Sequence, residues 1–136
     1  MPAAVHAQAR APHMSAVAVA SVAAGAVQIA TDTLPANLAA TASPTVGTVW
    51  SSLLLLGGLL VLAGAWMRPV AFGLRIESAG HSGLLFGTGI YFVAALIWMD
   101  SPWWVSPAVW WAIAVTGASA VRWWQITHTL WVVRHV

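Results

Sequence analysis

The sequence predicts an all-α membrane protein with three transmembrane helices and a weaker fourth candidate near the N-terminus. Of its 136 residues, 60% are hydrophobic and only 6% are charged, whereas soluble domains carry about a quarter charged residues. The stretch from Ser78 to Met99 contains no formal charge. It is long enough to cross the roughly 30 Å hydrocarbon core of a bilayer as one helix. Composition and this charge-free stretch together predict the class.

The composition also limits the chemistry that the chain can perform. It contains no cysteine, so disulfides, thiolate metal sites and thiol nucleophiles are excluded. Its five basic residues are all arginines, and they are scattered rather than clustered, so no nucleic-acid partner is indicated. The three acidic residues are spread along the chain and do not form a general acid–base pair. We therefore expect no enzymatic activity, no metal and no cofactor.

Residues 1–45 form an alanine-rich segment for which the sequence leaves several structures open. The first fourteen residues are rich in Ala, Pro and His, and disorder is the default expectation for them. Ser15 to Ala30 is weakly apolar and short for a membrane helix. This stretch fits the hydrophobic region of a signal peptide cleaved near residues 24–26, a marginal first span, or a loosely helical external segment.

Residues 46–136 form the predicted transmembrane domain, with spans at about 46–66, 78–99 and 107–126. Tryptophans lie near the ends of these spans, as in the aromatic belts of membrane proteins. Between Trp104 and Trp123 a helix would rise about 28 Å, which is close to the thickness of the hydrocarbon core. Trp50 and Trp66 lie near the two ends of the first of these spans.

The arginines predict the orientation of the domain. The loop after the first span contains Arg68 and Arg75, and the C-terminal region contains Arg122 and Arg134. The turn between the second and third spans has no arginine and contains Asp100 instead. The positive-inside rule therefore places the first loop and the C-terminus in the cytoplasm, with the chain integral to the cytoplasmic membrane.

Small residues on the second and third spans are the candidate helix-packing positions. Small residues that recur along one helix face let another helix backbone approach closely in lipid. We expect the two sets to face each other within one chain, or to pack between the subunits of a homo-oligomer. The positions are Ala79, Gly83 and Gly87 on the second span and Ala114, Gly117 and Ala118 on the third.

Four polar residues near the predicted cytoplasmic end are further candidates. Glu77 and Arg122 either form an ion pair across two helices, which would fix their register, or Arg122 extends towards the lipid headgroups. His81 and His128 are either a pair that ligates a haem iron or two interfacial histidines with local hydrogen bonds, and we favour the second interpretation.

Three stretches of the transmembrane domain resemble a known group of proteins. They are RPVAFGLRIESAG, GTGIYFVAALIW and RWWQI, within the region from Val46 to Ile126. This region resembles small multi-span membrane proteins of actinobacterial phages, some of which are similar to holins. The resemblance implies a holin-like protein that accumulates in the host inner membrane and opens lesions that release the lysin. It also implies a topology of three spans with the N-terminus outside, as in one holin class.

Overall fold

The computed structural model describes residues 12–40, 43–67, 70–98 and 102–135, and all regular structure in these ranges is helical. The predicted all-α class is therefore confirmed. The helices are α1 (Pro12–Thr31), the short α2 (Ala36–Ala39), α3 (Pro44–Trp66), α4 (Val70–Trp98) and α5 (Pro107–His135), with a 3-10 turn over Trp103–Val105 before α5.

Local sequence signals set the helix ends. At the start of α3, the backbone N–H of Val46 donates to the side-chain oxygen of Ser43 at 3.4 Å, and a proline occupies the first helical position. At the end of α1, Asp32 adopts the left-handed conformation with φ 51°. The N–H of Thr33 then donates to the carbonyl of Gln28 at 3.3 Å. This is the bond that closes a Schellman-type helix end.

The four long helices form a row in which each helix packs extensively against the next one along the chain. Successive long helices are antiparallel, since Gly25 near the end of α1 approaches Ser51, whereas Gly58 towards the end of α3 approaches Ala18. Within the described ranges, α1 and α5 each pack extensively against a single long helix. These two helices are the edges of the row.

The backbones of α3 and α4 touch because glycines lie where the two helices cross. A Cβ atom on Gly64 would lie 2.5 Å from the backbone nitrogen of Glu77, and one on Gly80 would lie 2.6 Å from that of Val61. No side chain of any size fits at either position without moving a helix. The glycines therefore set the distance between α3 and α4.

In the described part of the chain, three helices are long and apolar enough to cross a membrane, over His13–Thr31, Pro44–Trp66 and Val70–Ile97. The chain therefore has the helices of an integral membrane protein. The first of the three covers the stretch that the sequence leaves open, and it has the length and composition of a span. The third begins earlier than the predicted 78–99. The predicted span at 107–126 lies in α5, which packs along α4 but is not among the three apolar helices.

Large apolar side chains point outwards from the middle of the row. Water-soluble monomers rarely expose a continuous apolar surface of this kind, whereas a helix row in lipid requires one. The exposed apolar residues on α3 and α4 include Leu56, Leu59, Phe72, Phe86, Val93 and Ile97.

Trp50 does not lie in an aromatic belt, so the interpretation of this residue from sequence is wrong. It is only 3% exposed, and its Nε1 donates to the backbone carbonyl of Gly87 at 2.8 Å. Its ring stacks on Tyr91 with 5.9 Å between centroids. The indole lies there because Trp50 is on the face of α3 that meets α4. Trp66, in contrast, is 84% exposed, as a belt residue should be.

Candidate functional site

Two oppositely charged side chains meet in the interface between α4 and α5. The Nε of Arg122 on α5 donates to Oε1 of Glu77 on α4 at 2.8 Å. Glu77 is 3% exposed and Arg122 is 6% exposed, so the pair is buried among the helices. Of the two interpretations that the sequence allows for Arg122, the structure has the ion pair and not the extension towards headgroups.

The phase of α4 explains why Glu77, and not the neighbouring charge, enters this interface. Arg75 precedes Glu77 by two residues, which turns its side chain about 200° away around the helix. Arg75 is accordingly exposed. The two charges on α4 therefore have different roles, because Arg75 remains at the surface while Glu77 joins two helices.

Two further polar side chains are buried close to the ion pair. His81 follows Glu77 by one turn, and Ser119 precedes Arg122 by about one turn. Both residues are 0% exposed. The Nε2 of His81 lies 3.8 Å from Oε1 of Glu77, which is longer than a hydrogen bond.

Among the described residues, neither ring nitrogen of His81 nor the hydroxyl of Ser119 has a hydrogen-bond partner. A buried polar group without a hydrogen-bond partner costs about 1–3 kcal/mol of stability. These three atoms therefore destabilise the α4–α5 interface if no water reaches them.

A second polar contact joins the same two helices farther along. The hydroxyls of Thr88 on α4 and Thr116 on α5 lie 2.7 Å apart, and Thr88 also donates to the carbonyl of Leu84. From Glu77 to Thr88 the helix rises about 16 Å, or roughly half of a hydrocarbon core. We call this set of interface residues the polar seam: Glu77, His81 and Thr88 of α4 with Thr116, Ser119 and Arg122 of α5.

Beyond the two threonines the α4–α5 interface becomes apolar. Ala95 on α4 is 1% exposed, and Val109 and Ala112 on α5 are each 0% exposed. These side chains offer no hydrogen-bonding atom. The polar seam therefore begins near the end of the row that contains Met67 and stops past the middle of α4.

The polar seam is poorly suited to a metal ion. The described residues contain no group of three or more His, Asp or Glu side chains that could hold one. The carboxylate that would be the strongest ligand already accepts a hydrogen bond from the Arg122 guanidinium. A cation bound there would be repelled by that arginine.

His81 and His128 do not face a common pocket. His81 is buried on α4, whereas His128 is exposed on α5 and lies between the rings of Trp124 and Trp131 at 5.7 and 6.5 Å. Two axial histidines of a haem must point at the same iron. The arrangement does not support the haem interpretation.

Gly83 and Gly87 of α4 face α3, so the expectation that they meet α5 is wrong. A Cβ atom on Gly83 would lie nearest to Gly57, and one on Gly87 nearest to Leu53 and Leu54. The two glycines are roughly 100° around α4 from Glu77 and Thr88, which are the residues that meet α5. Ala79 is exposed on α4; on α5, Ala114 and Gly117 are exposed and Ala118 is half-buried.

The remaining arginines bear only partly on the orientation. Arg75 is exposed on α4, and Arg122 is engaged by Glu77. Arg68 and Asp100 lie outside the described residues, as does the side chain of Arg134.

No family model, curated protein or solved structure matches the chain. A functional assignment therefore rests on the residues of the chain itself.

Proposed function

We propose that the chain is a phage-encoded, holin-like integral membrane protein that oligomerises in the host cytoplasmic membrane. In this proposal all four long helices cross the bilayer, and the C-terminus is cytoplasmic. The phage and lysis parts are supported by the resemblance over Val46 to Ile126. The membrane part is supported by the three apolar helices of spanning length.

The outer face of α5 is the observation that supports self-association. Ala114 and Gly117 are both exposed there, and no described atom lies within 4 Å of a Cβ atom built on Gly117. Small residues favour close contact between helices in a membrane, whereas lipid contact does not require them. Because α5 is an edge of the row, a second copy can approach this face without disturbing the contacts within the chain.

A membrane anchor or accessory subunit is the second candidate function. It is favoured by the closed ion pair between Glu77 and Arg122, which leaves neither of these two charges at the surface of the row. In this case the face with Ala114 and Gly117 would accept a different membrane protein. A pull-down in mild detergent that returns only the chain itself would count against this candidate.

Induced expression tests the holin-like proposal. We expect the wild-type chain to depolarise the cytoplasmic membrane abruptly after it has accumulated, as reported by a potential-sensitive dye. We expect Gly117→Leu to delay or abolish the depolarisation, because the added side chain separates two α5 helices that touch at this position. The amount of protein in the membrane should not change, since the structure leaves room for a side chain at this position.

Gly89→Leu is the matched control. Gly89 is on α4, and a Cβ atom there also has no described atom within 4 Å, so the same substitution leaves the small-residue face of α5 intact. This variant should depolarise the membrane as the wild type does. If potential and viability persist at high expression of the wild type, with the protein in the membrane, the holin-like function is refuted.

A further inference from the structure

The two polar contacts between α4 and α5 enclose the side chains that lack partners. The Glu77–Arg122 pair is at one end of this interval and the Thr88–Thr116 contact is at the other. His81 lies between Glu77 and Thr88 along α4. Ser119 lies between Thr116 and Arg122 along α5, three residues from each. Since three-residue steps keep a residue on nearly the same helix face, Ser119 is turned towards α4 as its two neighbours are.

We propose that the polar seam is a hydrated half-channel. Water enters at the end of the row that contains Met67, reaches His81 and Ser119, and stops at the Thr88–Thr116 contact. This inference concerns the single chain and does not depend on the holin-like function.

Water is the ligand that fits the side chains of the interval. An uncharged imidazole has one nitrogen that donates and one that accepts, and the hydroxyl of Ser119 does both. A water molecule can donate a hydrogen bond to, or accept one from, each of these groups, and buried waters typically make two to four hydrogen bonds. A cation would be repelled by Arg122 and an anion by Glu77, so a small neutral donor and acceptor is favoured.

The order of the side chains along the interface gives the direction of entry. The charged pair of Glu77 and Arg122 lies on the Met67 side of His81, and these two side chains are 4% and 7% exposed, whereas that of His81 is 0% exposed. At the other end, Thr88 and Thr116 satisfy each other, and the apolar side chains of Ala112 and Ala95 follow.

Because the chain contains no cysteine, single cysteines can report on water in the seam. We would compare Ser119→Cys with Ala112→Cys, two buried small positions on the same face of α5, two turns apart. The reagent is methyl methanethiosulfonate, a small probe that reacts with the thiolate, and a thiol ionises readily only where water reaches it. We expect Ser119→Cys in membrane vesicles to react at least roughly ten-fold faster than Ala112→Cys.

Vesicles of opposite orientation test the direction of entry. Raising the pH only on the side of Met67 should speed the labelling of Ser119→Cys, because the thiolate fraction follows the pH of the water that reaches it. Raising the pH on the other side should have no effect.

Both variants must unfold at the wild-type denaturant midpoint, so that labelling reports the folded chain. Equal rates for the two cysteines would refute the half-channel, whether both are slow or both are fast. A rate that follows only the pH of the opposite side would refute the proposed direction of entry.

Discussion

Replacing Gly80 with leucine is expected to separate α3 from α4 and to prevent the row from forming. A Cβ atom at this position would lie 2.6 Å from the backbone nitrogen of Val61 and 2.7 Å from the carbonyl oxygen of Gly57. Backbone atoms cannot rotate out of the way as a side chain can, so the helices themselves must move apart. We expect the free energy of unfolding to fall by about 3 kcal/mol or more, at the upper end of overpacking effects. Denaturant unfolding in micelles, followed by tryptophan fluorescence, measures this change.

Gly89→Leu on α4 is the control for the loss of a helical glycine. No described atom lies within 4 Å of a Cβ atom there, so the same substitution adds no clash within the chain. It should leave the unfolding midpoint unchanged or raise it slightly, because leucine has the higher helix propensity. Equal destabilisation by the two variants would show that close packing of α3 on α4 is not what Gly80 provides.

Arg122→Leu is expected to have the second large effect, because it leaves Glu77 buried without its charged partner. Breaking a buried ion pair by removing one member costs about 3–5 kcal/mol. The double variant Glu77→Leu/Arg122→Leu should recover most of that loss, since it removes both charges from the apolar interface. The same unfolding measurement applied to the single and double variants gives the coupling between the two residues.

Arg75→Leu is the matched control for the loss of an arginine. Arg75 is exposed on α4, and surface charges contribute about 0–1 kcal/mol. If Arg122→Leu were no more destabilising than Arg75→Leu, the ion pair would not be what holds α4 to α5 at this end.

The all-α class follows from the sequence, whereas the ion pair is one of the two arrangements that the sequence allows for Arg122. A long charge-free stretch has few alternatives to a membrane helix, because every backbone polar group must be satisfied internally in lipid. Glu77 and Arg122 lie at the predicted cytoplasmic ends of two different spans. Opposite charges in such positions are more stable when they pair with each other than when each is left unpaired.

The long apolar helix α1 and the direction of the glycine face do not follow from the sequence. The alanine-rich stretch is too weakly apolar to show from composition alone that it forms a long helix packed on the others. The contact of α1 with α3, where Gly25 and Gly58 lie, is visible only in the structure. Glycines also occur on more than one face of α4, so their spacing alone does not tell which neighbour they meet. Gly57 and Gly64 on α3 determine the neighbour, because the absence of their side chains lets the backbone of α4 come into contact with α3.

The inner part of the polar seam was missed for a different reason. Ser119 and the two threonines are each unremarkable in a membrane helix, where serine and threonine are common between helices. On α5, the three-residue spacing of Thr116, Ser119 and Arg122 was the available signal. Only the pairing of α4 with α5 shows that His81 enters the same interval.

The measurement that tests the central claim most directly is the number of helices that cross the membrane. Four crossings place the residues before α1, between α3 and α4, and after α5 on one side, and the other connections on the opposite side. Single cysteines at His13, Met67, Thr33 and Val105, all exposed, can be labelled in intact cells with a membrane-impermeant thiol reagent. We predict that His13→Cys and Met67→Cys share one side and that Thr33→Cys and Val105→Cys share the other. If His13→Cys and Thr33→Cys label from the same side, α1 does not cross and the four-helix account is wrong.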